Sequence, residues 1–136
     1  MNYNQILKKG ENYLKKSKIE NPNLDAELIL SKVLNKKREE ILLNINNKLT
    51  NRDILKFENY LQRRFLKEPM AYILGYKYFW KYNFLANKSV LIPRPDTELI
   101  IEESLNYIQN DKSKKILDIG TGSGCIIVSL IKERPK

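Results

Sequence analysis

The chain has 136 residues, 42% of them hydrophobic and 30% charged, with a formal net charge of +9, one cysteine and no histidine. That size and balance describe a globular protein of one ordinary domain or two small ones. They exclude a disulfide framework, a Cys/His zinc site and histidine general-base catalysis, so no metal is expected. No apolar run reaches the ~20 residues of a membrane span, and Met1-Asn2-Tyr3-Asn4-Gln5 lacks the features of a signal peptide; a cytoplasmic location without membrane contact is expected. The lysines are scattered in pairs such as Lys8-Lys9 and Lys15-Lys16. They read as a solvated basic surface rather than a dedicated nucleic-acid site, and either reading suits work beside a ribosome.

From about Asn4 to Ser17, Ile6, Leu7, Tyr13 and Leu14 recur at helical spacing, with Gly10 at a packing or bend position. Asn21-Pro22-Asn23 breaks the chain. The next helix starts near Pro22, with Asp25 and Glu27 facing the dipole and a core stripe of Leu24, Leu28, Ile29 and Val33. A short third helix holds Glu39, Ile41, Leu42 and Leu43. A fourth follows the capping pair Thr50-Asn51 and carries Ile54, Phe57, Tyr60, Leu61 and Phe65. Residues 1–67 thus predict a small helical bundle.

Pro69 ends that periodicity. Residues 71–74 and 76–85 are aromatic and β-branched and alternate at period two, Phe79 against Trp80 and Tyr82 against Asn83. Gly75 punctuates them, and Asn87-Lys88 offers a turn before Val90-Leu91-Ile92. A β-hairpin or ribbon over 68–92 is expected as a linker. Pro95 suits the first position of a helix reaching about Gln109, with Asp96 and Glu98 at its positive end. Asn110-Asp111-Lys112-Ser113 is a polar loop.

Lys115-Ile116-Leu117-Asp118-Ile119 then reads as a buried strand, Gly120-Thr121-Gly122-Ser123-Gly124 as a tight loop, and 125–131 as the opening of a helix. Alternate glycines let backbone turn through positive φ and approach a ligand closely. A Walker loop needs lysine after its last glycine, and the dinucleotide fingerprint needs glycine at 125; both positions are Cys125. The Asp-x-Gly-x-Gly-x-Gly pattern resembles motif I of Rossmann-like methyltransferases that use S-adenosylmethionine. Cys125, at the helix start, reads as a small buried filler.

Three further runs carry a closer resemblance: Asn21-Pro22-Asn23-Leu24-Asp25-Ala26-Glu27-Leu28-Ile29-Leu30, Glu68-Pro69-Met70-Ala71-Tyr72-Ile73-Leu74-Gly75, and Val90-Leu91-Ile92-Pro93-Arg94-Pro95-Asp96-Thr97-Glu98. With Glu133-Arg134-Pro135 they make the chain similar, nearly end to end, to the HemK/PrmC family of release-factor glutamine methyltransferases. The resemblance implies an α+β chain. Its parts are a release-factor-docking helical bundle (1–67), a hairpin linker (68–92) and the truncated start of a Rossmann-like methyltransferase domain (93–136).

The same resemblance implies S-adenosylmethionine as cofactor, held by Asp118, Gly120, Thr121, Gly122, Ser123 and Gly124. Arg94, Asp96, Thr97 and Glu98 stand at the edge of the active site, or only cap and pin the next helix. Tyr72, Phe79 and Trp80 are an aromatic surface or, more simply, hairpin core. The partner implied is a peptide-chain release factor. The family's Asn-Pro-Pro-Tyr catalytic motif is absent from this sequence, so no catalytic residue is expected within it, and the chain reads as the N-terminal part of a longer enzyme. Two alternatives stand beside this: a non-catalytic docking module for release factor or ribosome, and a methyltransferase acting on another protein or nucleic acid.

Overall fold

The computed structural model describes residues 1–108 and 114–134. The expected polar loop at 110–113, the end of the helix at Gln109 and Pro135 lie outside the described residues. The chain divides into two compact units, Met1–Leu74 and Gly75–Lys136. Together they are α+β: seven α-helices and one two-stranded antiparallel sheet among the described residues. None of these helices is long and apolar enough to cross a membrane.

The first unit is α1 (Tyr3–Lys16), α2 (Pro22–Leu34), α3 (Arg38–Leu43), α4 (Asn51–Phe65) and α5 (Met70–Leu74). Local signals set its helix ends. Asn2 accepts from the Gln5 backbone N–H at 2.9 Å, and the Gln5 side chain accepts from Asn2 N–H at 3.0 Å, a reciprocal capping box. Thr50 caps α4 by accepting from Asp53 N–H at 3.2 Å. The segment before α1 is stitched to the α3–α4 connection through an antiparallel bridge of Asn2 to Lys48 and a bond from Leu49 N–H to Met1 C=O at 3.0 Å.

Ile6, Leu14, Ile29, Leu30, Ile41, Phe57 and Ile73 are fully buried at the centre of this unit. Gly10 is a packing glycine: a Cβ built on it would stand 2.8 Å from the Phe57 ring. The expected α2 stripe is displaced. Ala26, Ile29 and Leu30 are buried, whereas Leu24 is exposed and Leu28 and Val33 are half-buried. The helix packs against α1 on one side and α4 on the other, so its buried arc is wider than a single stripe. Asp25 and Glu27 fall inside that arc, 6% and 5% exposed. Each is paired, Asp25 with Arg64 at 2.6 Å and Glu27 with Arg38, as buried charge requires. In α3 only Ile41 is buried; Leu42 and Leu43 are exposed.

Residues 71–74 are helical rather than strand-like, correcting the reading from alternation. The Pro69 carbonyl accepts from Tyr72 and Ile73 N–H at 3.0 and 3.2 Å, starting α5. The β-branched Ile73 is there to plug the core, not to pair in a ladder.

The second unit opens with β1 (Tyr76–Phe79) and β2 (Tyr82–Leu85), paired antiparallel with Tyr76 opposite Leu85 and Phe79 opposite Tyr82. The expected hairpin is present, but Trp80 belongs to its turn, at φ +57°, instead of to the strand alternation. The turn at Asn87 is also present: its side chain accepts from Ser89 N–H at 2.9 Å. Residues 90–92 form no strand. A 3-10 turn (Pro95–Thr97) leads into α6 (Glu98–Ile108), so Pro95 does open a helical segment. The last helix is α7 (Cys125–Glu133).

Phe79 and Phe84 meet edge to face, ring centroids 6.1 Å apart, over Ile101, Cys125 and Leu130. Cys125 is buried, as a filler should be. The buried strand expected at 115–119 is not formed. Leu117 and Ile119 are 83% and 88% exposed. A strand exists only through a ladder partner, and the two strands among the described residues are paired to each other.

Candidate functional site

The loop between residue 119 and α7 owes its shape to three glycines. Gly120, Gly122 and Gly124 have φ of +76°, +55° and +74°. An L-residue rarely adopts this left-handed region, so the loop's path requires glycine at all three positions. Nothing lies within 4 Å of a Cβ built at Gly120, and at Gly122 only the Gly120 carbonyl oxygen at 3.9 Å. The space beside that backbone is therefore open to a ligand.

Gly124 N–H donates to the Thr121 carbonyl at 2.8 Å, closing the turn, and the Gly124 carbonyl accepts from Val128 N–H at 2.9 Å, starting α7. Gly124 brings no side-chain cap, so the first N–H groups of α7 have no acceptor from it. Asp118 is half-buried and its carboxylate accepts from Thr121 Oγ1 at 2.9 Å, tying the loop's entry to its first turn. Ser123 is half-buried. Asp118 and residues 120–124 are thus brought together in one short, glycine-shaped cradle. A cofactor that approaches main chain, with ribose and amino-acid parts rather than a pyrophosphate, fits that open backbone beside a carboxylate.

The Arg94–Glu98 stretch divides into two behaviours. Pro93 is buried, while Arg94, Pro95 and Asp96 are exposed. Thr97 N–H donates to the Arg94 carbonyl at 3.1 Å. Glu98 turns to the hairpin, its Oε1 accepting from Trp80 N–H at 2.9 Å. Among the described residues no hydrogen bond joins this stretch to the glycine loop. Glu98 thus ties the start of α6 to the hairpin turn, a contact that neither of the two roles expected for it describes. Phe79 packs in the core; Trp80 is half-buried in the turn.

One cluster has no counterpart in the sequence reading. Glu133, at the end of α7, accepts from Trp80 Nε1 and Lys81 Nζ, each at 2.9 Å, and from Tyr82 OH at 3.3 Å. Lys132 Nζ stands 4.4 Å from the Tyr82 ring centroid. The Lys81 and Trp80 hydrogen bonds hold the Glu133 carboxyl below its ordinary pKa. Desolvation, and then the Glu133 charge, raise the Tyr82 phenol. These partners lie about fifty residues apart along the chain, and no local pattern announces such a pairing. Among the described residues no group of carboxylates and thiols has the arrangement of a metal site.

Residues 5–75 match the PrmC N-terminal domain. Similar proteins include the release factor glutamine methyltransferase of Buchnera aphidicola subsp. Baizongia pistaciae, 47% identical over 113 residues, covering 83% of this chain and 41% of that protein. The enzyme of the same name in Coxiella burnetii is 41% identical over 114 residues, covering 84% of this chain and 41% of its own. The bifunctional methyltransferase of Rickettsia prowazekii is 39% identical over 149 residues, covering 96% of this chain and 29% of its own. The chain therefore spans less than half the length of the relatives it matches.

Proposed function

The chain belongs to the HemK/PrmC family, and from that premise we propose that its parent protein transfers a methyl group from S-adenosylmethionine to the side-chain nitrogen of a glutamine in a peptide-chain release factor. The observation that carries the cofactor half of this reading is the open cradle of Gly120, Gly122 and Gly124 beside Asp118. The substrate half rests on the names of the relatives.

In this reading residues 1–67 dock the release factor, 68–92 link, and 93–136 begin the Rossmann-like methyltransferase domain. The loop residues Gly120, Thr121, Gly122, Ser123 and Gly124 hold the cofactor through backbone, and Asp118 fixes the loop's entry. The cofactor supplies an electrophilic methyl on a sulfonium. Arg94, Asp96 and Thr97 border the site, and Glu98 positions the hairpin turn.

An amide nitrogen is a poor nucleophile because its lone pair is delocalised into the carbonyl. Methylating it requires acceptors for its N–H groups and alignment of nitrogen, methyl and sulfur. No Asn-Pro-Pro-Tyr is present in these 136 residues to supply such acceptors. Residues 1–136 alone are therefore expected to give no turnover. They should bind the cofactor more weakly than about 1 mM, roughly 4 kcal/mol.

Methyl transfer to purified release factor, with the parent protein and residues 1–136 compared, tests both parts. Transfer by the parent alone, with no micromolar binding by calorimetry to residues 1–136, is the expected result. Transfer by the parent to nucleic acid and not to release factor would overturn the substrate assignment.

A further inference from the structure

Fifteen of the 25 basic side chains, against nine acidic ones, lie in residues 1–74. The fold gathers part of this excess. Arg52, Lys56, Asn59 and Arg63 recur at spacings of four, three and four along α4, which puts them on one helical face over about 16 Å. Lys32 of α2 joins them. Lys32, Val33, Lys56, Asn59, Tyr60 and Arg63 line a groove of about 380 Å³.

Tyr60 sits in the groove with Lys32 Nζ 5.6 Å and Arg63 Cζ 5.4 Å from its ring centroid. Lys32 is held by donating to the Leu74 carbonyl at 2.7 Å. Arg63 is neutralised by Glu68, bidentate at 2.8 and 2.7 Å. Among the described residues no carboxylate pairs with Lys32, Arg52 or Lys56, and none lines this groove. Another groove of the unit, about 550 Å³ beside α1, contains Glu58, which neutralises Lys9 at 2.6 Å.

We propose that the α2–α4 groove is a docking surface for single-stranded RNA. Arg52 and Lys56, one turn apart on α4 and without a carboxylate partner, and Lys32 on α2 offer positive charge to a phosphate backbone, and the Tyr60 ring and Asn59 amide beside them serve the bases. An acidic protein segment would use the cations but has no need of the Tyr60 face. The groove belongs to the first unit and the glycine loop to the second, and the proposal does not depend on the methyl-transfer reading. The lysines look scattered in the sequence because the site is assembled from two helices, and from every third or fourth residue of one.

The test is fluorescence anisotropy of a labelled RNA of about twelve nucleotides with residues 1–136, at several salt concentrations. The double variant R52E/K56E is compared with K8E/K16E, which makes the same change in net charge at exposed α1 positions. The first should weaken binding at least about tenfold and flatten the slope of log affinity against log salt by roughly 1.4; the second should stay within about twofold. Should R52E/K56E fail to fold, R52Q/K56Q reads the same effect with the repulsion removed. Equal losses in both variants, or no RNA binding by the unsubstituted chain, would overturn the proposal. So would polyglutamate competing as well as RNA, which would make the groove a site for acidic protein.

Discussion

The two units bury their apolar surface to different extents, although the first also leaves Leu43, Leu55 and Leu66 exposed. Residues 1–74 gather eleven buried apolar side chains around Phe57, and α1 and α4 start on side-chain caps supplied within a few residues. From Gly75 onward five side chains form the core among the described residues, while Leu85, Leu91, Tyr107, Leu117 and Ile119 are left more than half exposed. Helices satisfy their backbone locally and need only one covered face, so a small bundle closes on itself. A segment such as 115–119 satisfies its backbone only through neighbours far along the chain.

The contrast can be broken first at Phe57. Phe57→Ala should cost about 3–5 kcal/mol in a denaturation series, because the fully buried ring leaves a cavity. Ile119→Ala in the same series should stay within about 0.5 kcal/mol. Comparable losses would mean that residue 119 is packed in solution. Gly10→Ala comes next. Alanine gains up to ~1 kcal/mol of helix propensity, but its Cβ would meet the Phe57 ring at 2.8 Å, and overpacking costs about 1–3 kcal/mol. A net loss of about 1–2 kcal/mol is expected; a gain would show that the ring yields.

The clamp at the hairpin turn sharpens the comparison from the other side. Glu133 has its folded-state pKa lowered by Lys81 and then Trp80, so its contribution to stability is present above the unfolded carboxylate pKa and fades as pH falls through the lower folded value. Trp80 is the one tryptophan, which makes its emission a direct reading of the turn. A spectral step on the acid side of the ordinary glutamate range is expected, absent in Glu133→Gln. A step that survives the substitution would assign the titration to another group. The smallest effect expected is at Ser129, whose buried Oγ has no partner among the described residues. Ser129→Ala should be neutral or stabilise by about 1 kcal/mol, and a loss on that scale would reveal a hydrogen bond.

What could be read from the sequence follows the same divide. Helices α1 and α4, the Thr50 cap and the hairpin rest on periodicity and short-range signals, and they stand where those signals put them. The glycine loop's left-handed geometry was readable for the same reason, since each φ is a local property. Four features needed the fold. Asp25 and Glu27 are buried because their partners arrive from α4 and α3. Ile73 is helical because the core needed it. Residues 115–119 have no ladder. Glu133 meets three hairpin side chains that no pattern near it foretells.

The Met1 carbonyl is itself an acceptor, taking the Leu49 N–H at 3.0 Å, and Asn2 both caps α1 and bridges to Lys48. The beginning of the sequence is thus a structural edge rather than a loose handle. An affinity tag or fluorophore fused ahead of Met1 is joined at the nitrogen of a residue whose carbonyl is already committed to the fold. For anyone preparing this protein, a label on an exposed side chain such as Lys8 disturbs less than one at the front of the chain.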